Sequence, residues 1–147
     1  MNEASFICDP RITLFGRLVE AYASLRQGLD DVMQGDVGLP LLWYGVLLHV
    51  GRSPEGVRPM SELTEATAFT SGGVTRLVDR MEAAGYVERR PCPTDRRVQY
   101  VGLTEAGREM LERASEVHIR GIQDRMLNRL DRDEADELDR LLYKLVH

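Results

Sequence analysis

Histidine and cysteine are scarce in this 147-residue chain, and the two shortages remove classes of function. His49, His118 and His147 stand far apart, and Cys8 and Cys92 are separated by most of the chain. Neither set has the spacing of a metal site, so no metal and no cofactor is expected. Two cysteines make no disulfide framework, which fits a reducing cytoplasm. There is no HExxH, GxSxG or Walker motif and no glycine-rich dinucleotide loop, so catalysis is not expected. The longest apolar run, Leu39–Val50, is interrupted by Pro40, Gly45 and His49. It is too short and too broken for a bilayer and reads as a buried helix. The N-terminus MNEASFICDPR lacks a basic segment followed by a long apolar core. Neither a secretory signal nor a membrane partner is therefore expected.

Positive charge is also short overall, since the net charge is −5, but its distribution is uneven. Between Tyr86 and Leu103, Arg89, Arg90, Arg96 and Arg97 face only Glu88 and Asp95, a local net of +2 that leaves −7 for the rest. A basic tip on an acidic body suits an anionic partner touched in one place.

Apolar residues from Ile12 to Met33 recur at steps of three and four, including Leu14, Phe15, Leu18, Tyr22 and Leu25, and predict an amphipathic helix closed by Gly35 and Gly38. Leu39–Gly51 is a second, more apolar helix in which Trp43 reads as a core anchor and His49 as a packed histidine. Gly51–Pro59 is a run of turn residues and reads as a loop. Ser61–Ala68 is a short helix with Ser61 as its N-cap candidate. After a turn at Phe69, a further helix starts at Thr70 or Ser71, with Val74, Leu77, Val78 and Met81 on one face. Ser71, Gly72, Thr75, Arg76, Asp79 and Arg80 lie on the other face, and Gly85 stops the helix. Two short helices joined by a tight turn make a helix-turn-helix candidate. Tyr86–Arg90 and Val98–Leu103 read as strands joined by PCPTD, whose two prolines suit a hairpin tip. Thr104 caps a long helix to Leu130 that Gly107 and Gly121 weaken, and Asp131 with Glu134 has capping-box spacing ahead of a last helix over 133–146.

The stretch VTRLVDRMEAAGYVERRPCPTDRRVQYVGLTEAG resembles the MarR family of bacterial transcription regulators. The likeness rests on a helix, a glycine, a strand ending in ERR, a DRR wing and then LTEAG, and it covers Ser61–Gly107. It implies a mainly α (α+β) fold: a winged helix-turn-helix with a two-stranded β-wing and a helical dimerisation region from both chain ends. Residues 1–147 would form one MarR-type domain. Its dimerisation helices would be 12–34 and 104–147, and its DNA-binding lobe 39–103. Many members repress genes as homodimers and release DNA when a small, often phenolic, ligand or an oxidant acts. The ligand site usually lies between the dimer helices and the DNA-binding lobe, which makes Phe15, Tyr22, Trp43 and Tyr44 candidate lining; aromatic residues at helical spacing are more often core. The oxidant-sensing branch carries a cysteine within its first helix, whereas Cys8 precedes that helix here. Gly72–Gly73 and Cys92 depart from the residues usual at their positions.

These expectations define a site. Ser71, Thr75 and Arg76 are expected at base edges or nearby phosphates in the major groove, with Thr70, Gly72 and Arg80 beside them. Ser61 and Thr64 are expected near phosphate. Arg96 and Arg97 are expected at the backbone or an adjacent minor groove, with Asp95 holding an arginine in place and at least one of Arg89 and Arg90 paired with the body. The partners are double-stranded DNA and a second copy of the chain, in the cytoplasm on the nucleoid. The rival reading is a winged helix used only for protein contact or small-molecule sensing.

Overall fold

A computed structural model describes residues 7–67 and 71–147. Two compact units are present: Met33–His118, and a second that joins the described residues up to Val32 with Ile119–His147. The elements in chain order are α1 (Pro10–Val37), α2 (Leu41–Gly51), β1 (Val57–Pro59), α3 (Met60–Thr67), α4 (Ser71–Ala83), β2 (Val87–Pro91), β3 (Gln99–Leu103), α5 (Glu105–Arg125), a 3₁₀ turn (Leu127–Arg129) and α6 (Arg132–Val146).

In the unit Met33–His118, the core is apolar and closely shared. Leu47 and Val50 of α2, Leu63 of α3, and Val74, Leu77, Val78 and Met81 of α4 are all fully buried. The four from α4 are those its 3.6-residue period places on one face. The sheet is antiparallel with strand order β1-β3-β2, pairing Val57 with Gly102 and Val87 with Leu103. The two-stranded wing, β2–β3, is therefore joined in its sheet by a third strand, and Gly51–Pro59 is not loop throughout. Three residues are too few to show alternation, and the turn residues before them mask the strand, with Gly56 at φ +70. Strand β1 runs directly into α3, which begins at Met60, so Ser61 lies inside the first turn instead of capping it.

The end of α4 is built as a Schellman turn. Gly85 takes φ +83, the Tyr86 amide donates to the Met81 carbonyl at 3.0 Å, and the Gly85 amide donates to the Glu82 carbonyl at 2.9 Å. Thr104 clasps that turn from the other side of the wing. Its amide donates to the Tyr86 carbonyl at 3.1 Å and its hydroxyl to the Gly85 carbonyl, while the same oxygen accepts the Gly107 amide at 3.0 Å and so caps α5. Gly107 is required by this contact, since a Cβ there would lie 1.9 Å from the Tyr86 carbonyl oxygen.

In the second unit, α1 and α5 approach through glycine. A Cβ on Gly121 would meet Leu29 at 2.9 Å, and one on Gly28 would meet the Arg125 guanidinium at 2.5 Å. Helix α5 ends at Arg125, short of the expected Leu130, and the 3₁₀ turn carries the chain to α6. There Asp131 and Glu134 form the complete capping box. Much of this unit's apolar surface is uncovered. Ile12, Leu14, Phe15, Leu18, Val19 and Tyr22 of α1, and Leu141, Leu142, Leu145 and Val146 of α6, are exposed.

The clasp predicts that Gly107→Ala destabilises the protein by about 1–3 kcal/mol, because the new methyl overpacks a backbone carbonyl. Chemical or thermal unfolding measures this. An unchanged midpoint would mean that the turn after α4 yields freely.

Candidate nucleic-acid interface

Helix α4 carries its polar residues on the side away from the core. Gly72, Thr75, Arg76, Asp79 and Arg80 are exposed. Ser71 opens the helix, and Thr70 lies outside the described residues. Around Gly72, no atom of the described residues lies within 4 Å of an added Cβ. In α3, Ser61 is exposed and Thr64 is half-buried. The Thr64 hydroxyl donates to the Met60 carbonyl at 3.2 Å, so contact with a phosphate would require that bond to be exchanged.

The arginines of the wing have distinct surroundings. Arg97 is bound by Asp95 three times: its amide lies 3.0 Å and its Nε 3.1 Å from Oδ1, and its Nη2 lies 3.2 Å from Oδ2. The side chain is nevertheless 91% exposed, so the pair sets its direction without covering it. Hydrogen bonds from Arg97 hold the Asp95 carboxyl below the usual carboxylate range. Arg90 pairs with Glu88. Arg89 turns back onto α4, with its two terminal nitrogens 2.6 Å from Asp79 and 2.6 Å from Glu82. Burial opposes its charge, but the hydrogen bonds and charges of those two carboxylates outweigh it and raise its pKa. Among the described residues, Arg76, Arg80 and Arg96 have no acidic partner within ion-pair distance.

Two departures from the family pattern acquire a setting here. The glycine at position 72 leaves backbone open at the start of α4. Cys92 follows β2 at the wing tip and is 7% exposed. Its sulfur is 3.3 Å from the Thr94 hydroxyl and 3.7 Å from the Tyr100 hydroxyl. Hydrogen bonds from the Thr94 side chain, then from the Thr94 and Asp95 amides, lower its pKa to about 7.

The aromatic candidates are placed as follows. Phe15 and Tyr22 are exposed on α1. Trp43 meets the edge of the Tyr86 ring with centroids 6.4 Å apart, tying α2 to the clasped turn. Tyr44 is buried, with its hydroxyl 3.4 Å from the Ser115 hydroxyl and its ring 4.7 Å from that of His118. Burial lowers the His118 pKa, and among the described residues His118 Nδ1 and His49 Nε2 are buried without a hydrogen-bond partner. Among the described residues, no cluster of three His, Cys, Asp or Glu is placed to hold a metal.

Two short helices, α3 and α4, set between β1 and the β2–β3 hairpin of one three-stranded antiparallel sheet define a winged helix-turn-helix. Residues 37–98 match the family model described as the MarR family. The chain is 32% identical over 131 residues to the multiple antibiotic resistance protein MarR of Escherichia coli, covering 89% of this chain and 90% of that protein. It is 29% identical to the HTH-type transcriptional regulator MhqR of Bacillus subtilis, covering 93% and 92%. Among solved structures it is similar to Sco3205 of Streptomyces coelicolor, a MarR family transcriptional regulator in complex with DNA, at TM-score 0.82 and 29% identity over 91% of this chain and 84% of that one. It is also similar to a mutant of Escherichia coli MarR complexed with operator DNA, at TM-score 0.80 and 27% identity over 93% and 96%. The chain belongs to the MarR family of transcriptional regulators.

The environment of Cys92 predicts a thiolate that forms near neutral pH. A pH titration of ultraviolet thiolate absorbance should show a transition with a midpoint of about 7 that Cys92→Ser abolishes. A Cys92-dependent midpoint near the ordinary cysteine value of about 8.5 would mean that the turn amides do not reach the sulfur.

Proposed function

We propose that the chain is a DNA-binding transcriptional regulator that grips an operator as a homodimer, with α4 in the major groove and the wing on the adjoining backbone or minor groove. The observation that carries this reading is electrostatic. In a protein of net charge −5, Arg76 and Arg80 project unpaired from α4, and Arg96 and the strongly exposed Arg97 project from the wing. Ser71, Thr75 and Arg76 stand nearest the bases, with Arg76 able to take guanine O6 and N7 together. Ser61, Thr64 and Arg80 flank them at phosphate. The structures solved with DNA, to which this fold is similar over most of its length, support the same placement.

Dimerisation is supported by the exposed apolar faces of α1 and α6, which a second copy would cover. The helices 12–34 and 104–147 supply that interface, and 39–103 the DNA-binding lobe. Repression relieved by a small aromatic or phenolic ligand is the mode that family membership supports, with Phe15, Tyr22, Trp43 and Tyr44 as candidate contacts. The protein has no catalytic role in this reading and works in the cytoplasm. Among the described residues, no helix is long and apolar enough to cross a membrane.

Salt-titrated binding to duplex from the protein's own promoter tests the proposal. The site should be a pseudo-palindrome with half-sites one helical turn, ~10 bp, apart. Arg97→Ala should weaken binding across sequences and reduce the salt slope by about one. Unchanged affinity at every salt concentration would remove the wing from the interface. Gly72→Ala meets no atom of the described residues, so a loss of duplex affinity with retained stability would place DNA backbone against that position. If no genomic duplex binds with a salt dependence, the protein-contact reading replaces this one.

A further inference from the structure

The recognition helix carries two negative charges where an anionic ligand approaches. Gly72, Arg76, Asp79 and Ala83 follow one another along its outer stripe at steps of three and four, and Glu82 lies in the same turn as Asp79. On a helix surface Arg76 and Asp79, three residues apart, are natural partners. Such a pair would take Arg76 away from any phosphate or base.

That pairing is pre-empted. Arg89 reaches across from β2 and takes both carboxylates, with Nη2 2.6 Å from Asp79 Oδ1 and Nη1 2.6 Å from Glu82 Oε2. Nη2 also lies 3.4 Å from the Thr75 carbonyl oxygen. Its side chain is only 21% exposed, and its backbone is fixed opposite Val101 of β3. The planar fork of a guanidinium serves two acceptors at once, which the single ammonium of lysine does less well.

We infer that Arg89 is a positioning residue for DNA recognition: by engaging both Asp79 and Glu82 it offsets one of their two charges, occupies both carboxylates of α4 and leaves Arg76 and Arg80 unpaired toward the duplex. Arg89 itself touches no DNA in this scheme. The same bridge joins the wing strand to the recognition helix, so the helix's available charge depends on the wing staying in place. The inference rests on the DNA-binding reading above, and its test separates the two.

The experiment is salt-titrated duplex binding by full-length wild type, Arg89→Ala, Arg89→Lys, and Arg89→Ala combined with Asp79→Asn and Glu82→Gln, with thermal unfolding followed in parallel. Wild type that binds no duplex defeats the DNA-binding reading itself. With wild type binding, Arg89→Ala should bind more weakly, with a salt slope shallower by about one as Arg76 closes on Asp79. Arg89→Lys should recover this only in part. The triple variant should regain the wild-type slope and most of the affinity although Arg89 is absent. A triple variant as weak as Arg89→Ala would overturn the inference, since it would make Arg89 a direct DNA contact or a simple staple. Should Arg89→Ala not fold, Asp79→Asn with Glu82→Gln and Arg89 intact decides the matter. It should bind more tightly than wild type because two negative charges have left the helix, and weaker binding would overturn the inference.

Discussion

The contact on which the DNA-binding lobe depends is the clasp between Thr104 and the turn Gly85–Tyr86. One threonine caps α5 through the Gly107 amide and holds the carbonyls of Gly85 and Tyr86 through its hydroxyl and amide. The amides of the same two residues close the recognition helix, and β2 begins directly after them. The clasp therefore fixes three elements to one point: the end of α4, the base of the wing and the start of α5. It needs two glycines for different reasons. Gly85 supplies a left-handed turn, and Gly107 supplies the absence of a side chain against the Tyr86 carbonyl. Trp43 packs its ring against Tyr86 and brings α2 to the same place.

Charge is organised around that frame. A wing with four arginines does not offer four free cations. Arg89 is spent on α4 and Arg90 on Glu88, while Asp95 holds Arg97 in one direction but leaves it in solvent. What remains for an anionic partner is a small set from two elements, Arg76 and Arg80 on the helix and Arg96 and Arg97 on the wing. In the proposed interface so few suffice for an acidic chain, because they lie on two adjoining elements and would meet the same ligand. In the proposed homodimer, built on the exposed apolar faces of α1 and α6, a second set doubles the contacts without more basic residues.

Much of this is legible in the sequence because it rests on local rules. The buried face of α4 follows from the helical period, the Gly85 stop from the left-handed preference of glycine, and the caps at Thr104 and Asp131 from their hydroxyl and carboxylate acceptors. Strand β1 is not legible, since three residues carry no period and its pairing with β3 spans more than forty positions. Gly107 reads in sequence as a weak point in a helix, because the carbonyl that demands it lies twenty residues earlier. The Arg89 bridge is half visible. Two acids three residues apart on α4 signal that something must pair with them, but the neighbouring Arg76 and Arg80 are the candidates that sequence offers. Only the hairpin register assigns Arg89 instead.

The central claim is that recognition helix and wing meet duplex DNA as one clasped unit. Hydrogen exchange of the backbone amides, with and without operator duplex, tests it most directly. The account predicts that added duplex protects the amides of α4's first turns and those of the wing tip, 92–98, together and in the same range of DNA concentration. Protection confined to one of the two, or appearing at separate DNA concentrations, would contradict it.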